Sequence, residues 1–87
     1  SYLILEIPAL PVSTGSDFTL RCRNKDGFVH EAYFYKNDDI VGKTQNAIIH
    51  RVQPSDEGFY SCSTDKSGSS PQSFLRVKGQ AVIQLPV

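Results

Sequence analysis

With 87 residues, nine of them basic and nine acidic, the chain carries no net charge, which excludes partners selected mainly by bulk electrostatics, such as a nucleic-acid backbone or an anionic lipid surface. A chain this short holds one core and one domain, and domains of this size commonly need a covalent or metal staple. A zinc shell would have to use both cysteines and both histidines or borrow carboxylates, so a disulfide is the simpler staple and an oxidising compartment the implied setting.

No stretch carries a sustained 3.6-residue apolar stripe, while period-two alternation broken by turn residues recurs throughout, so the chain reads as all-β. Residues 2–7 form a first strand. It is broken by Pro8 and Pro11, which lack a ladder N–H and send Val12 across to the opposite sheet. After a turn at 13–16, residues 17–23 alternate Phe18, Leu20 and Cys22 with Thr19, Arg21 and Arg23, as a strand with one wet side does. Residues 25–29 read as a loop with Gly27 near its tip, 30–36 as an aromatic-rich strand, Asn37, Asp38 and Asp39 as a turn, and 40–43 as a short strand.

Residues 45–52 make the next strand. Pro54, Ser55, Asp56 and Glu57 suit a helical-type turn, and 58–64 run back as the strand bearing Cys62. Residues 66–70 read as a flexible loop of small residues, and 73–78 as a closing strand with Leu75 and Val77 inward. One domain is expected over 1–78. The apolar tail at 79–87 stands apart: its IQLPV echoes PALPV at 8–12, read either as a linker or the opening of a following domain, or as an accidental match. No apolar run approaches the length of a membrane span and the start lacks a charged leader, so the chain reads as an excised piece. Asn-x-Ser/Thr triplets are absent from the sequence, and N-glycans are not expected.

From Ala47 the chain runs Ala47, Ile49, Val52, Asp56, Gly58, Tyr60, Cys62. This resembles the L-x-I-x-x-V-x-x-x-D-x-G-x-Y-x-C pattern of immunoglobulin-superfamily domains, departing only at Ala47. The resemblance implies a two-sheet sandwich with a Cys22–Cys62 bridge and a core built on Phe34, Leu20, Ile49 and Tyr60. Tyr60 would send its hydroxyl back to the turn near Asp56, Asp56 would cap turn amides, and Gly58 would let the backbone come close. Such domains usually pack a Trp on the bridge; this chain has none, and Phe34 is expected in its place.

Phe34-Tyr35-Lys36-Asn37, Phe18-Thr19-Leu20-Arg21-Cys22-Arg23 and Asp56-Glu57-Gly58-Phe59-Tyr60-Ser61-Cys62 are similar to segments of Fc receptors, Fc-receptor-like proteins and the leukocyte immune-type receptors of fishes. The spacing between the cysteines suits a constant-2 or intermediate type, with strands A, B and E on one sheet and C′, C, F and G on the other. The implied role is an extracellular recognition domain of a cell-surface immune receptor, or a secreted form of one. Its partner would be a protein: an immunoglobulin, an MHC-like molecule or another cell-surface protein. A single domain is expected to be monomeric, with further such domains in the full-length chain. A non-binding spacer in a tandem array and a cell-adhesion domain are the alternatives.

If Ala32 and Phe34 face the core, Tyr33 and Tyr35 project outward beside Phe59, next to Ile40 and Val41. These five are the first ligand-binding candidates, unless a neighbouring strand, loop or domain covers them. Loops at one pole, over 24–29 and 65–70 with Lys66 and Ser67, are the second, against a plain reading as turns. Arg21, Arg23 and Lys25 form a basic strip suited to an acidic protein or sulfated glycan, though such strips are more often solvated faces. Asp38 and Asp39 lack the further oxygens a calcium site needs, and His30 and His50 sit in no metal motif. No catalytic motif occurs, so neither enzymatic activity nor a cofactor is expected.

Overall fold

The computed structural model describes residues 2–79; most of the expected tail at 79–87, including the IQLPV echo, lies outside the described residues. In chain order the strands are β1 (Ile4–Glu6), β2 (Val12–Ser13), β3 (Phe18–Asn24), β4 (Gly27–Phe28), β5 (Ala32–Lys36), β6 (Asp39–Thr44), β7 (Asn46–Ile49), β8 (Gly58–Thr64), β9 (Gly68–Ser69), β10 (Ser73–Leu75) and β11 (Val77–Lys78). A short 3-10 turn at Pro54–Asp56 is the helical element. No helix among the described residues is long and apolar enough to cross a membrane.

The first sheet runs β1-β3, with β7 and β4 pairing β3; the second runs β10-β8-β5-β6, with β9 pairing β8. Alternation decides what each sheet buries. From the first come Leu3, Leu5, Phe18, Leu20 and Cys22, and from the second Ala32, Phe34, Tyr60, Cys62 and Leu75, all in one buried cluster with Val12 and Val52. Ile49 and Ala47 are partly buried against it, opposite Phe18 and Leu20 in register. The two layers are joined covalently by Cys22–Cys62.

Pro8 and Pro11 end the first strand, and Val12 leaves its sheet. It pairs in parallel with Val77, its N–H donating to the Arg76 carbonyl at 2.9 Å, so the chain changes partners at the prolines as expected, although β2 and β11 form a separate two-stranded sheet rather than joining the β10-β8-β5-β6 ladder. The turn between β5 and β6 holds Asn37 and Asp38 at φ 49° and 71°. Two consecutive left-handed residues match the twist of a hairpin, and Asn and Asp tolerate them best after glycine. Asn37 also ties the hairpin to β8, donating its N–H to the Phe59 carbonyl at 2.7 Å and accepting the Phe59 N–H on Oδ1 at 3.0 Å. A Cβ on Gly58 would lie 3.0 Å from that same Oδ1, which is why β8 begins on glycine. Residues 66–70 are more ordered than a free loop: β9 pairs β8, and the buried Ser70 accepts the Cys62 N–H at 3.0 Å.

The corner between the sheets is closed by Tyr60. Its hydroxyl donates to the Asp56 carbonyl at 2.6 Å, while the Asp56 carboxylate accepts the Gln53 N–H at 2.8 Å. Burial, and then the Asp56 charge, push the phenol from 10.0 up to about 12. Because the neutral phenol is the favoured form, this contribution is complete below the unfolded value of 10.0 and is lost as pH rises through about 12. Tyr60→Phe is expected to cost about 1 kcal/mol near neutrality. The deficit should shrink once pH rises past the unfolded value of 10.0 and be gone before it reaches about 12, as read from urea midpoints across the alkaline range; a deficit constant with pH would rule this account out.

Candidate functional site

Pleating sends alternate residues to opposite sides of a sheet, so burying Ala32 and Phe34 turns Tyr33 and Tyr35 of β5 outward. Across the ladder Tyr33 stands opposite Ser63 and Tyr35 opposite Ser61 on β8. Phe59, two residues before Ser61, shares that outer face. Phe74 of β10 lies directly opposite Phe59, and their rings meet edge to face with centroids 4.9 Å apart. At the other edge Lys43 pairs with Tyr33 and Ile40 with Tyr35, and the register slips between Phe34 and Tyr35. The slip leaves Val41 as an extra residue, the mark of a bulge.

Ile40 is 62% exposed, Phe59 49%, Val41 44% and Phe74 44%, while Tyr33 and Tyr35 are half-buried. The tyrosines are fixed by their surroundings. The Tyr35 hydroxyl shares a hydrogen bond with Ser63 Oγ at 2.9 Å. The Lys43 ammonium sits 4.9 Å from the Tyr33 ring centroid and 3.8 Å from Glu31; Tyr33 first, then Glu31, hold it above its ordinary pKa. At the opposite edge the Arg76 guanidinium lies 5.9 Å from the Phe74 centroid. The Gln72 amide reaches across to Asp38, donating to Oδ1 at 3.1 Å. No pocket opens among the described residues, and the site is a face.

Of the candidates read from the sequence, Tyr33, Tyr35, Phe59, Ile40 and Val41 therefore lie together, and Lys66 and Ser67 lie apart, in the turn between β8 and β9. Ser67 donates its N–H to Thr64 Oγ1 at 3.0 Å. Phe74 and Arg76 were not singled out from the sequence, although reading Leu75 and Val77 as inward already places both outward. The pole loop at 24–29 is a hairpin, with Phe28 opposite Arg23 and the Arg21 guanidinium 4.0 Å over the Phe28 ring. Arg23 Nε lies 3.1 Å from Glu6. Two of the three cations in the basic strip are thus engaged within the domain.

His50 Nδ1 lies 3.4 Å from Asp17. Asp17 also accepts the Arg51 N–H at 2.9 Å, the main cause of its lowered pKa. Among the described residues no group of three or more His, Cys, Asp or Glu side chains is arranged to hold a metal ion.

Two comparisons with known proteins bear on this geometry. Residues 2–77 match the family described as the immunoglobulin domain. The chain is 33% identical over 66 residues to Fc receptor-like B of Homo sapiens, an alignment covering 71% of this chain and 16% of that protein. The chain thus spans a small part of the curated relative it matches.

Proposed function

The chain belongs to the immunoglobulin domain family, and from that premise we propose that it is an extracellular recognition domain of a cell-surface immune receptor of the Fc-receptor-like or leukocyte-immune-type kind. It engages a protein ligand through the outer face of the second sheet. The observation that carries this reading is the exposed, mutually packed ring pair Phe59 and Phe74. Rigid aromatic rings on a flat sheet lose little entropy on contact and are favoured as interface anchors. Ile40 and Val41 extend the apolar surface to the far edge, and Tyr33 and Tyr35 add polar handles between.

A multivalent form of the chain, screened against an array of cell-surface and secreted proteins, tests this. Phe59→Ser and Tyr35→Ser are expected to weaken a captured ligand by at least about tenfold, as truncation of an interface anchor does. The melting temperature should move little for Phe59→Ser, whose ring is about half exposed. Loss of binding only in step with a large fall in melting temperature would mean that the rings serve the fold.

One observation favours a spacer as the second reading. β1 starts beside the end of β3, and β11 ends beside Ser13 at the other pole, so the described chain runs from pole to pole as a link in a tandem array does. A ligand captured only when a neighbouring domain is attached, and insensitive to Phe59→Ser, would favour the spacer.

A further inference from the structure

We propose that the outer face of the first sheet carries a separate binding site, centred on Arg21, for a glycan that ends in a carboxylated sugar. Pleating and cross-strand register set its members. Because Leu20 and Cys22 are buried, Arg21 of β3 points outward, with Glu6 opposite it on β1 and Asn46 opposite it on β7. Thr19 and Ile48 form the next outward pair along that ladder. Phe28 lies opposite Arg23 on the same side, where Arg21 reaches its ring.

The guanidinium at the centre has no anion of its own. Glu6, the carboxylate opposite it, accepts a hydrogen bond from Arg23 Nε at 3.1 Å instead. Among the described residues Arg21 forms neither an ion pair nor a hydrogen bond. It rests on the Phe28 ring, 4.0 Å from the centroid, a contact that restrains the group and leaves its N–H donors open. A flat guanidinium with open donors matches a carboxylate through two parallel hydrogen bonds. With Glu6 engaged by Arg23, one positive charge stays uncompensated at this spot, and a ligand carboxylate complements it.

The surroundings suit a sugar better than a bare anion. The Asn46 amide and the Thr19 hydroxyl are also without hydrogen-bond partners among the described residues, and together they offer donors and acceptors to ring hydroxyls. Phe28 is 45% exposed and Ile48 50%, which supplies apolar surface for the C–H groups of a sugar. The strip is flat and opens no pocket, so a single sugar is held with a dissociation constant of about 1–10 mM. Many copies facing a glycan-rich surface raise that by avidity. The strip lies on the opposite side of the sandwich from Phe59 and Phe74, so it and the second-sheet face can be occupied together.

Titration of the isotope-labelled 87-residue chain, followed by backbone amide and arginine side-chain NMR signals, tests the site. The probes are methyl α-sialoside and methyl β-glucuronide, with neutral methyl β-galactoside and sodium acetate as controls at matched ionic strength. An acidic sugar is expected to shift the Arg21, Phe28 and Asn46 signals saturably, at concentrations at least about tenfold below those at which acetate does so. The probe effective at the lower concentration identifies the sugar. Arg21→Gln is expected to abolish the shifts. Arg21→Lys keeps the charge but loses the fork, and should weaken binding by at least about fivefold; it carries the test if circular dichroism shows that Arg21→Gln melts early. Asn46→Ala should weaken the sugar more than it weakens acetate.

The absence of a saturable shift with either acidic sugar overturns the inference, as does an equal response to acetate, which leaves a bare-anion contact only. Undiminished binding by Arg21→Gln overturns it as well. The reading of the second-sheet face is tested separately by Phe59→Ser and survives any of these results.

Discussion

Phe34→Ala is expected to lower stability by about 3–5 kcal/mol, the usual cost of truncating a buried phenylalanine. Small domains hold roughly 5–15 kcal/mol in total, so the variant should unfold at much lower urea and be partly unfolded near body temperature. The ring is fully buried, stands opposite Cys62 on β8, and belongs to the cluster where the two sheets meet. Removing it leaves a cavity against a bridge that cannot move to fill it. Phe34→Trp bears on the departure from the usual family pattern. Packing around a phenyl ring has no spare volume for an indole, and overpacking costs about 1–3 kcal/mol. Urea denaturation of both variants checks this: a stable Phe34→Ala protein would mean that the bridge is packed by other side chains.

Replacing both cysteines, as Cys22→Ala/Cys62→Ala, is expected to cost about 4 kcal/mol on the chain-entropy account, given a sequence separation of 40. That loss is again comparable to the whole stability of a small domain. The double variant, or the wild-type chain under a thiol reductant, should therefore populate the unfolded state without denaturant, seen as loss of the far-ultraviolet β signature and of a cooperative melt. Combined with Phe34→Ala the losses should not add, because Phe34 and Cys62 are neighbours sharing one cavity. A reduced chain that melted at the same temperature would show that the layers hold by packing alone.

Much of the sandwich was legible because its signals are local. The alternation Phe18, Leu20, Cys22 marks the buried side of β3 wherever that strand is placed, and Pro8 and Pro11 cannot donate within a ladder, so the first strand had to break there. Tyr60 two residues before Cys62 carried the corner. By contrast, small polar residues at 66–70 look alike in a loop or a short strand. The pairing of Ser69 and Gly68 with β8, and the Ser70 hydroxyl seated under the Cys62 N–H, separate the two. The basic strip hides its partners in the same way, because a row of cations on one strand does not reveal that Glu6 and Phe28 arrive from its neighbours to engage Arg23 and Arg21.

The sequence by itself determined which residues point inward, where the chain must turn and which two sulfurs were available to join, since side-chain alternation, proline chemistry and residue counts are properties of neighbours along the chain. Only the tertiary structure decided that Phe59 and Phe74 pack together and that a register slip leaves Val41 beside Ile40. Those facts depend on strand order and cross-strand register, which are fixed by how residues far apart in sequence meet.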